Sequence, residues 1–219
     1  MPTDGERRVP DLAAMRSDYV AAGLVEADLA ADWTTQLGRW LADAVRAELP
    51  EPNAMVLATA SADGRPSART VLLKEYDASG LVFYTNYDSR KGSDLAANPR
   101  ASLVFPWIAL SRQVVVTGDV AVVSREQSTR YFGSRPRGSQ LGAFASPQSR
   151  VIGGRADLDE AWRRTELAYP ETVPLPDRWG GFRVVPLTVE FWQGQTDRLH
   201  DRLRYRRSDG GWLVERLAP

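Results

Sequence analysis

From residue 53 onward the chain repeats one pattern: a short apolar run, a turn signal, another run. "NAMVLATAS" gives way to the turn "ADGRP", "SARTVLLKEY" to "DASG", and "LVFYTN" follows. Runs of this length, rich in valine, leucine and aromatics and separated by Gly, Pro and Asp, are strands in hairpin-like connection. "RASLVFPWIAL" and "RQVVVTGDVAVVS" continue the series, and "GGFRVVPLTVEFWQG", "RLHDRLRYRR" and "GWLVERLAP" complete it, with "SDGG" turning between the last two. Many short antiparallel strands predict a mainly β fold with flanking helices, in the form of a closed or partly open antiparallel β-barrel of Greek-key type. Closure also removes the exposed edges on which open sheets aggregate.

Helical patterns frame and interrupt these strands. "PDLAAMRSDYVAAG" reads as a short helix. In "ADWTTQLGRWLADAVRAEL", Trp33, Leu37, Trp40, Leu41, Ala44 and Val45 recur at helical spacing, and the prolines around Glu51 stop it. "SRKGSDLAANP" reads as a helix within the strand series. "SREQSTRYFGSRP", with Ser124 in N-cap position, is followed by "SQLGAFAS" and "GRADLDEAWRRTELAY". A chain of 219 residues suits one domain. Residues 1–50 are expected as a helical segment packed on a barrel formed by residues 51–219.

Composition narrows the chemistry. Lys plus Arg equals Asp plus Glu at 28 each, so no global field draws the chain to nucleic acid or a membrane, and any anion site must be local. With no cysteine there are no disulfides, thiolate metal sites or cysteine nucleophiles, and a single histidine rules out a multi-histidine metal site within one chain. No metal site is expected. No apolar run approaches the roughly 18 residues of a membrane span, and "MPTDGERRVP" lacks the apolar core of a secretory signal. The expected location is cytoplasmic.

What remains is basic residues at separate points. Arg69 and Lys74 end the apolar run "RTVLLK"; as one strand it would set them roughly 16 Å apart on opposite faces. Arg90 and Lys91 open a helix, where free backbone N–H groups already favour a phosphate. Tyr131, Arg135, Arg137 and Ser139, read as a loop between helices, are phosphate-type ligands. Singly, such residues are usually solvated surface charges; together they suggest more than one phosphate. "DRLHDRLRYRR" holds the sole histidine among five arginines. As a strand it would align Arg198, His200, Arg202, Arg204 and Arg206 on one face, a row of like charges that repels itself unless an anion or water lies against it. Trp33, Trp40, Trp107, Trp162 and Trp212 read as packing residues. Trp179 and Trp192 stand beside glycines that would admit a planar ligand. There is no dinucleotide or P-loop glycine motif and no G-x-S-x-G elbow.

The ordered set "RTVLLK", "FYTN", "SRK", "FPW", "RQV", "YFGSRPRGSQLGA", "QS", "WGGFR", "EFWQG" and "RLHDR" resembles the pyridoxine/pyridoxamine 5′-phosphate oxidases across residues 50–219. The resemblance implies a split-barrel flavoprotein and a homodimer with FMN between subunits. It implies oxidation of the C4′ alcohol or amine of phosphorylated vitamin B6 to pyridoxal 5′-phosphate by hydride transfer to FMN, with O2 reoxidising the flavin to give H2O2. It assigns FMN to Arg69, Thr70, Val71, Leu72, Leu73, Lys74, Tyr84, Thr85, Arg90 and Lys91, and to Gln113, Gln148, Ser149, Trp192 and Arg202, some from the partner subunit. It assigns the substrate to Lys74, Tyr131, Arg135, Ser139, Arg198, Leu199 and His200, with Arg198 and His200 catalytic. "RSDY" (residues 16–19) falls where the family has a stretch that closes over substrate, though Ser17 stands where a basic residue is common. Arg204 and Arg206 have no counterpart and read as solvated. Two alternatives stand beside this reading: a flavin or deazaflavin reductase of the same fold, which would keep the cofactor residues but lose the "YFGSRPRGS" and "RLHDR" sets present here, and a non-catalytic flavin or pyridoxal phosphate carrier, which turnover under air would exclude.

Overall fold

The computed structural model describes residues 11, 12, 15, 19 and 23–219, and most of "PDLAAMRSDYVAAG" lies outside them. The apolar runs form nine strands of one antiparallel sheet: β1 (Ala54–Ala60), β2 (Pro66–Leu72), β3 (Glu75–Asp77), β4 (Gly80–Asn86), β5 (Arg100–Trp107), β6 (Arg112–Val122), β7 (Trp179–Gln193), β8 (Asp201–Ser208) and β9 (Gly211–Arg216). Among the described residues five α-helices accompany them: α1 (Trp33–Arg46), α2 (Arg90–Ala97), α3 (Arg125–Ser134), α4 (Arg137–Ala145) and α5 (Arg155–Ala168). None of the described helices is long and apolar enough to cross a membrane.

The strand order β2-β1-β5-β6-β7-β4-β3 begins and ends with strands that are consecutive in sequence. Only Leu73 and Lys74 separate β2 from β3, and two residues span roughly 7 Å. The two ends of the sheet must therefore curl together. Leu73 N–H donates to Asn53 O beside β1, and Lys74 N–H to Val82 O on β4, at 2.9 Å each. "SARTVLLKEY" is thus two strands rather than one, because the chain crosses from one side of the curl to the other at those two residues.

β7 organises the rest. Its first half pairs with β4 (Asn86↔Trp179 to Leu81↔Val184), its second half with β8 (Thr188↔Arg206 to Gln193↔Asp201), and β6 lines its other edge. β4 and β8 share one edge of a single long strand, which splits the sheet into a barrel part and a β8–β9 hairpin. Alternation does the burial: Leu57, Leu103, Val114, Phe191, Leu203 and Tyr205 are fully buried in one core. α1 plugs that core with Trp33, Leu37, Trp40 and Ala44, and Tyr205 Oη donates to Ala30 O just upstream. Val45, expected on the apolar face of α1, is instead exposed. A second cluster forms between the end of β7 and α3–α4: Phe132, Leu141, Val173 and Trp179, with Tyr84, Tyr131 and Trp162 against it.

The opening of "DRLHDRLRYRR" is not a strand. Residues Thr196–Arg198 make a tight helical turn with Asp197 at φ 54° and Arg198 at φ 63°, and β8 begins only at Asp201. Arg198 and His200 are therefore presented by a turn, not by strand alternation. Arg202, Arg204 and Arg206 do share a face, and carboxylates lie against it. Arg202 pairs with Glu190 at 2.7 Å, while Arg204 and Arg206 both reach Glu215, at 2.6 and 2.8 Å. The repulsion expected of the row is relieved within the sheet.

Candidate active site

α2 begins at a Ser89 N-cap, whose hydroxyl accepts the Gly92 N–H. This start turns Lys91 inward, to 7% exposure. Its Nζ donates to Thr85 Oγ1 and Ser89 Oγ, at 3.2 Å each, and to Gln148 Oε1 at 3.0 Å. All three partners are neutral. Burial, and secondarily the Arg69 cation, lower the Lys91 amine to about 8. Arg69 lies next to it on β2. Its guanidinium donates to Leu57 O (3.2 Å), Thr59 Oγ1 (2.8 Å) and Ser67 Oγ, and lies 3.9 Å from Asp94. Asp94 accepts from Thr59 (2.6 Å) and Ser67 (3.0 Å), so one buried carboxylate sets the scaffold that aims Arg69.

These groups open into a cleft of about 700 Å³ lined by residues 67–72, Lys74, Tyr84, Thr85, Arg90, Lys91, Tyr131, Arg135, Pro136, Ser139, Gln148, Ser149 and Trp179. Arg69 and Lys74 share this cleft rather than opposite faces, because β2 ends before Lys74. Five cations line it and no carboxylate does. In a chain with 28 charges of each sign, that is a strong local field. Arg135 adds a second observation. Its guanidinium stacks over Trp179 at 4.7 Å, burial lowers its pKa, and its buried Nη1 has no hydrogen-bond partner. A buried, unpaired donor of this kind is costly unless an acceptor completes it.

Aromatic rings form one wall. Tyr84 stacks on Tyr131 at 4.0 Å and 15°, and lies near-parallel to Trp179 at 5.7 Å. Burial, and then a hydrogen bond to Glu75 (2.9 Å), raise the Tyr84 hydroxyl pKa, so it stays protonated. The glycines beside the two singled-out tryptophans serve the chain itself. A Cβ on Gly181 would meet the Tyr84 ring at 2.7 Å, and one on Gly194 the Tyr19 ring at 2.7 Å.

Other expected residues lie elsewhere. Leu73 is buried in the core. Tyr131 and Ser139 sit on α3 and α4 rather than in a loop, and Arg137 turns away to the Glu171 and Tyr169 carbonyls. Gln113, Trp192 and Arg202 oppose one another across β6, β7 and β8, one row on the outer face of the sheet. Trp192 adjoins His200 (4.7 Å between ring centres), and Tyr19 meets both edge-on. Arg198 and Leu199 are exposed beside them. Of "RSDY", residues 16–18 lie outside the described residues. Trp179 and Trp192 stand at opposite ends of β7, on the order of 40 Å of strand apart. The cleft and the row are therefore two surfaces of one chain. The sequence reading missed Asp94, Glu75, Gln195 and Asp201. For Asp94 a signal existed: it falls three residues after Lys91 and one before Leu95, on the buried face of α2.

Three comparisons bear on this arrangement. The family profile described as pyridoxamine 5′-phosphate oxidase matches residues 41–192, and one described as a pyridoxine 5′-phosphate oxidase C-terminal dimerisation region matches residues 179–219. A pyridoxine/pyridoxamine 5′-phosphate oxidase of Salinispora arenicola is 61% identical over 211 residues, covering 94% of this chain and 96% of the relative. The crystal structure of PhzG from Burkholderia lata, in complex with tetrahydrophenazine-1-carboxylic acid, superposes with a TM-score of 0.84 at 33% identity, covering 90% of this chain and 98% of that one. A pyridoxamine 5′-phosphate oxidase-related, FMN-binding protein of Nostoc punctiforme shares the fold at a TM-score of 0.71, with 18% identity over 87% of this chain and 100% of its own.

Proposed function

The chain belongs to the pyridoxamine 5′-phosphate oxidase family, and from that premise we propose that it oxidises pyridoxine 5′-phosphate and pyridoxamine 5′-phosphate to pyridoxal 5′-phosphate as an FMN-dependent cytoplasmic homodimer. The observation that carries the reading is the cleft with five cations and no carboxylate, in which Lys91 has only neutral partners and Arg135 has an unpaired buried Nη1.

That donor set fits two phosphates. Arg69, Arg90 and Lys91 would hold the FMN phosphate. Thr70, Val71, Leu72, Lys74, Tyr84, Thr85, Gln148 and Ser149 would flank the rest of the cofactor, and Gln113, Trp192 and Arg202 would complete the site from the partner subunit. Lys74, Tyr131, Arg135 and Ser139 would hold the substrate phosphate. Bound there, FMN would supply a hydride acceptor for C4′ of the substrate, with O2 as the final oxidant yielding H2O2. The protein's own share is positioning. The substrate phosphate is remote from C4′, so its binding energy can enforce the reacting pose. Arg198 offers a planar cation that covers a pyridine ring, and His200 meets the reacting end. Dimerisation supplies what one chain lacks, since the cleft and the row carrying Trp192 and His200 are separate surfaces. The C-terminal match to a dimerisation region supports this.

The likeness to PhzG makes oxidation of a carboxylated ring without phosphate the second reading. The 61% identity to a pyridoxine/pyridoxamine 5′-phosphate oxidase, against 33% to PhzG, favours the phosphorylated substrate. Aerobic turnover of pyridoxine 5′-phosphate by the yellow, FMN-loaded protein tests it, with pyridoxine and tetrahydrophenazine-1-carboxylic acid, a carboxylated tricyclic ring, as comparisons. Formation of pyridoxal 5′-phosphate, with at least a hundredfold loss in kcat/KM when the phosphate is removed, is expected. Turnover of the carboxylated ring alone would overturn the assignment.

A further inference from the structure

The only histidine in the chain is held from one side. The backbone N–H of Gln195 donates to His200 Nδ1 at 3.0 Å. A ring nitrogen that accepts a hydrogen bond carries no proton, so the neutral imidazole is the Nε2–H tautomer. Nε2 has no hydrogen-bond partner among the described residues. The ring faces beside it are aromatic, with Trp192 at 4.7 Å and Tyr19 at 5.6 Å between centres. In this form Nε2 already bears its hydrogen, and Nδ1 takes a second one only by giving up the Gln195 bond.

Asp201 holds Gln195 in place. Its Oδ2 accepts from Gln195 Nε2 (2.9 Å) and from the Leu24 N–H (3.0 Å), while Oδ1 pairs with Arg216 at 2.7 Å. Arg216 in turn binds Leu24 O and Glu26. One carboxylate thus ties the turn that shapes the His200 site to the segment entering α1 and to β9. Burial alone would raise its pKa, but the bonds from Leu24, Arg216 and Gln195 prevail and keep it below the ordinary range, so it stays ionised.

We propose that His200 serves as a fixed hydrogen-bond donor, directing Nε2–H at an acceptor lone pair on the substrate's reacting end, and that Asp201 is the positioning residue that keeps it so. The substrate-directed half rests on the oxidase reading above; the tautomer does not. A lone histidine makes the test direct, provided the protein carries no histidine tag. Long-range 1H–15N spectra of the FMN-loaded, 15N-labelled protein are expected to show one imidazole with a protonated Nε2 and a bare Nδ1. Asp201→Ala is expected to turn this into an averaged mixture of tautomers and to lower kcat at least tenfold, with FMN affinity held within about twofold. If Asp201→Ala fails to fold, Gln195→Ala cuts the same link and should show the same mixing.

His200→Gln separates donor from base. It sets an amide N–H where Nε2 stood, and should stay within about fivefold of the parent kcat, whereas His200→Leu should lose about a hundredfold. A protonated Nδ1 in the parent protein, or His200→Gln as slow as His200→Leu, would overturn the proposal. An Nε2–H spectrum in a protein that turns over no phosphorylated vitamer would sink the oxidase reading and leave the tautomer standing.

Discussion

At the scale of single residues, Lys91 ties stability to binding. Below about pH 8 its amine is charged in both the folded and the unfolded chain, and the cost of holding that charge among neutral partners is fully present. As pH rises from about 8 toward the ordinary 10.5, the folded chain releases the proton first and the cost is relieved. Flavin-free protein should therefore gain stability over that interval relative to Lys91→Met, read from denaturant midpoints. A phosphate placed beside the amine favours its charged form. FMN binding at pH 9 should then take up protons, measured by calorimetry in buffers of different ionisation enthalpy, and its affinity should fall as pH rises above 8. Lys91→Met should abolish both effects; persistence of the proton uptake would move the phosphate elsewhere. Arg198 and Arg206 make a second contrast. Arg198→Met removes the planar cation at the turn, and kcat/KM should drop by roughly two to three orders of magnitude, about 3–4 kcal/mol of transition-state interaction. Arg206→Met breaks one half-buried pair to Glu215, which Arg204 still holds, and should change neither activity nor flavin binding measurably.

At the scale of elements, the position of α2 is the sensitive one. Its first turn lies so close to the preceding loop that a Cβ on Gly92 would sit 2.0 Å from Tyr87 O, a backbone atom with little freedom to retreat. Gly92→Ala must push the helix off, and Arg90 and Lys91 go with it. The expected cost is about 1–3 kcal/mol of stability, read from the melting temperature, together with at least a tenfold loss of FMN affinity. A variant that melts early but binds FMN as before would detach the phosphate site from α2. Most elements were readable because their causes are local: period-2 runs, turn residues, and the Ser124 cap. The break at Leu73–Lys74 was not, because it is imposed by the curl of the sheet and nothing in "RTVLLKEY" interrupts the strand pattern. The turn at residues 196–198 escaped for a related reason. Asp197 and Arg198 adopt positive φ without a glycine to announce it.

At the scale of the whole molecule, the residues that line the cleft were legible as a set but not as a place. The order of motifs names both Lys91 and Trp192, yet only the fold shows that one lies in the cleft and the other at the far end of β7 on the outer face. Sequence spacing carries no record of which surfaces a second copy brings together. In a two-fold dimer each site would join one chain's cleft to the partner's row. Complementation between variants follows from that geometry. Lys91→Met spoils the cleft of its own chain, and Arg198→Met spoils the row of its own chain, so each homodimer has two damaged sites. A mixed dimer combines both lesions in one site and leaves the other wholly intact. Random reassembly of equal amounts makes half the dimers mixed, so about a quarter of parental activity should return. Refolding the two inactive variants together and assaying pyridoxal 5′-phosphate formation reads this directly. If each chain builds a complete site by itself, both lesions stay where they are and mixing restores nothing.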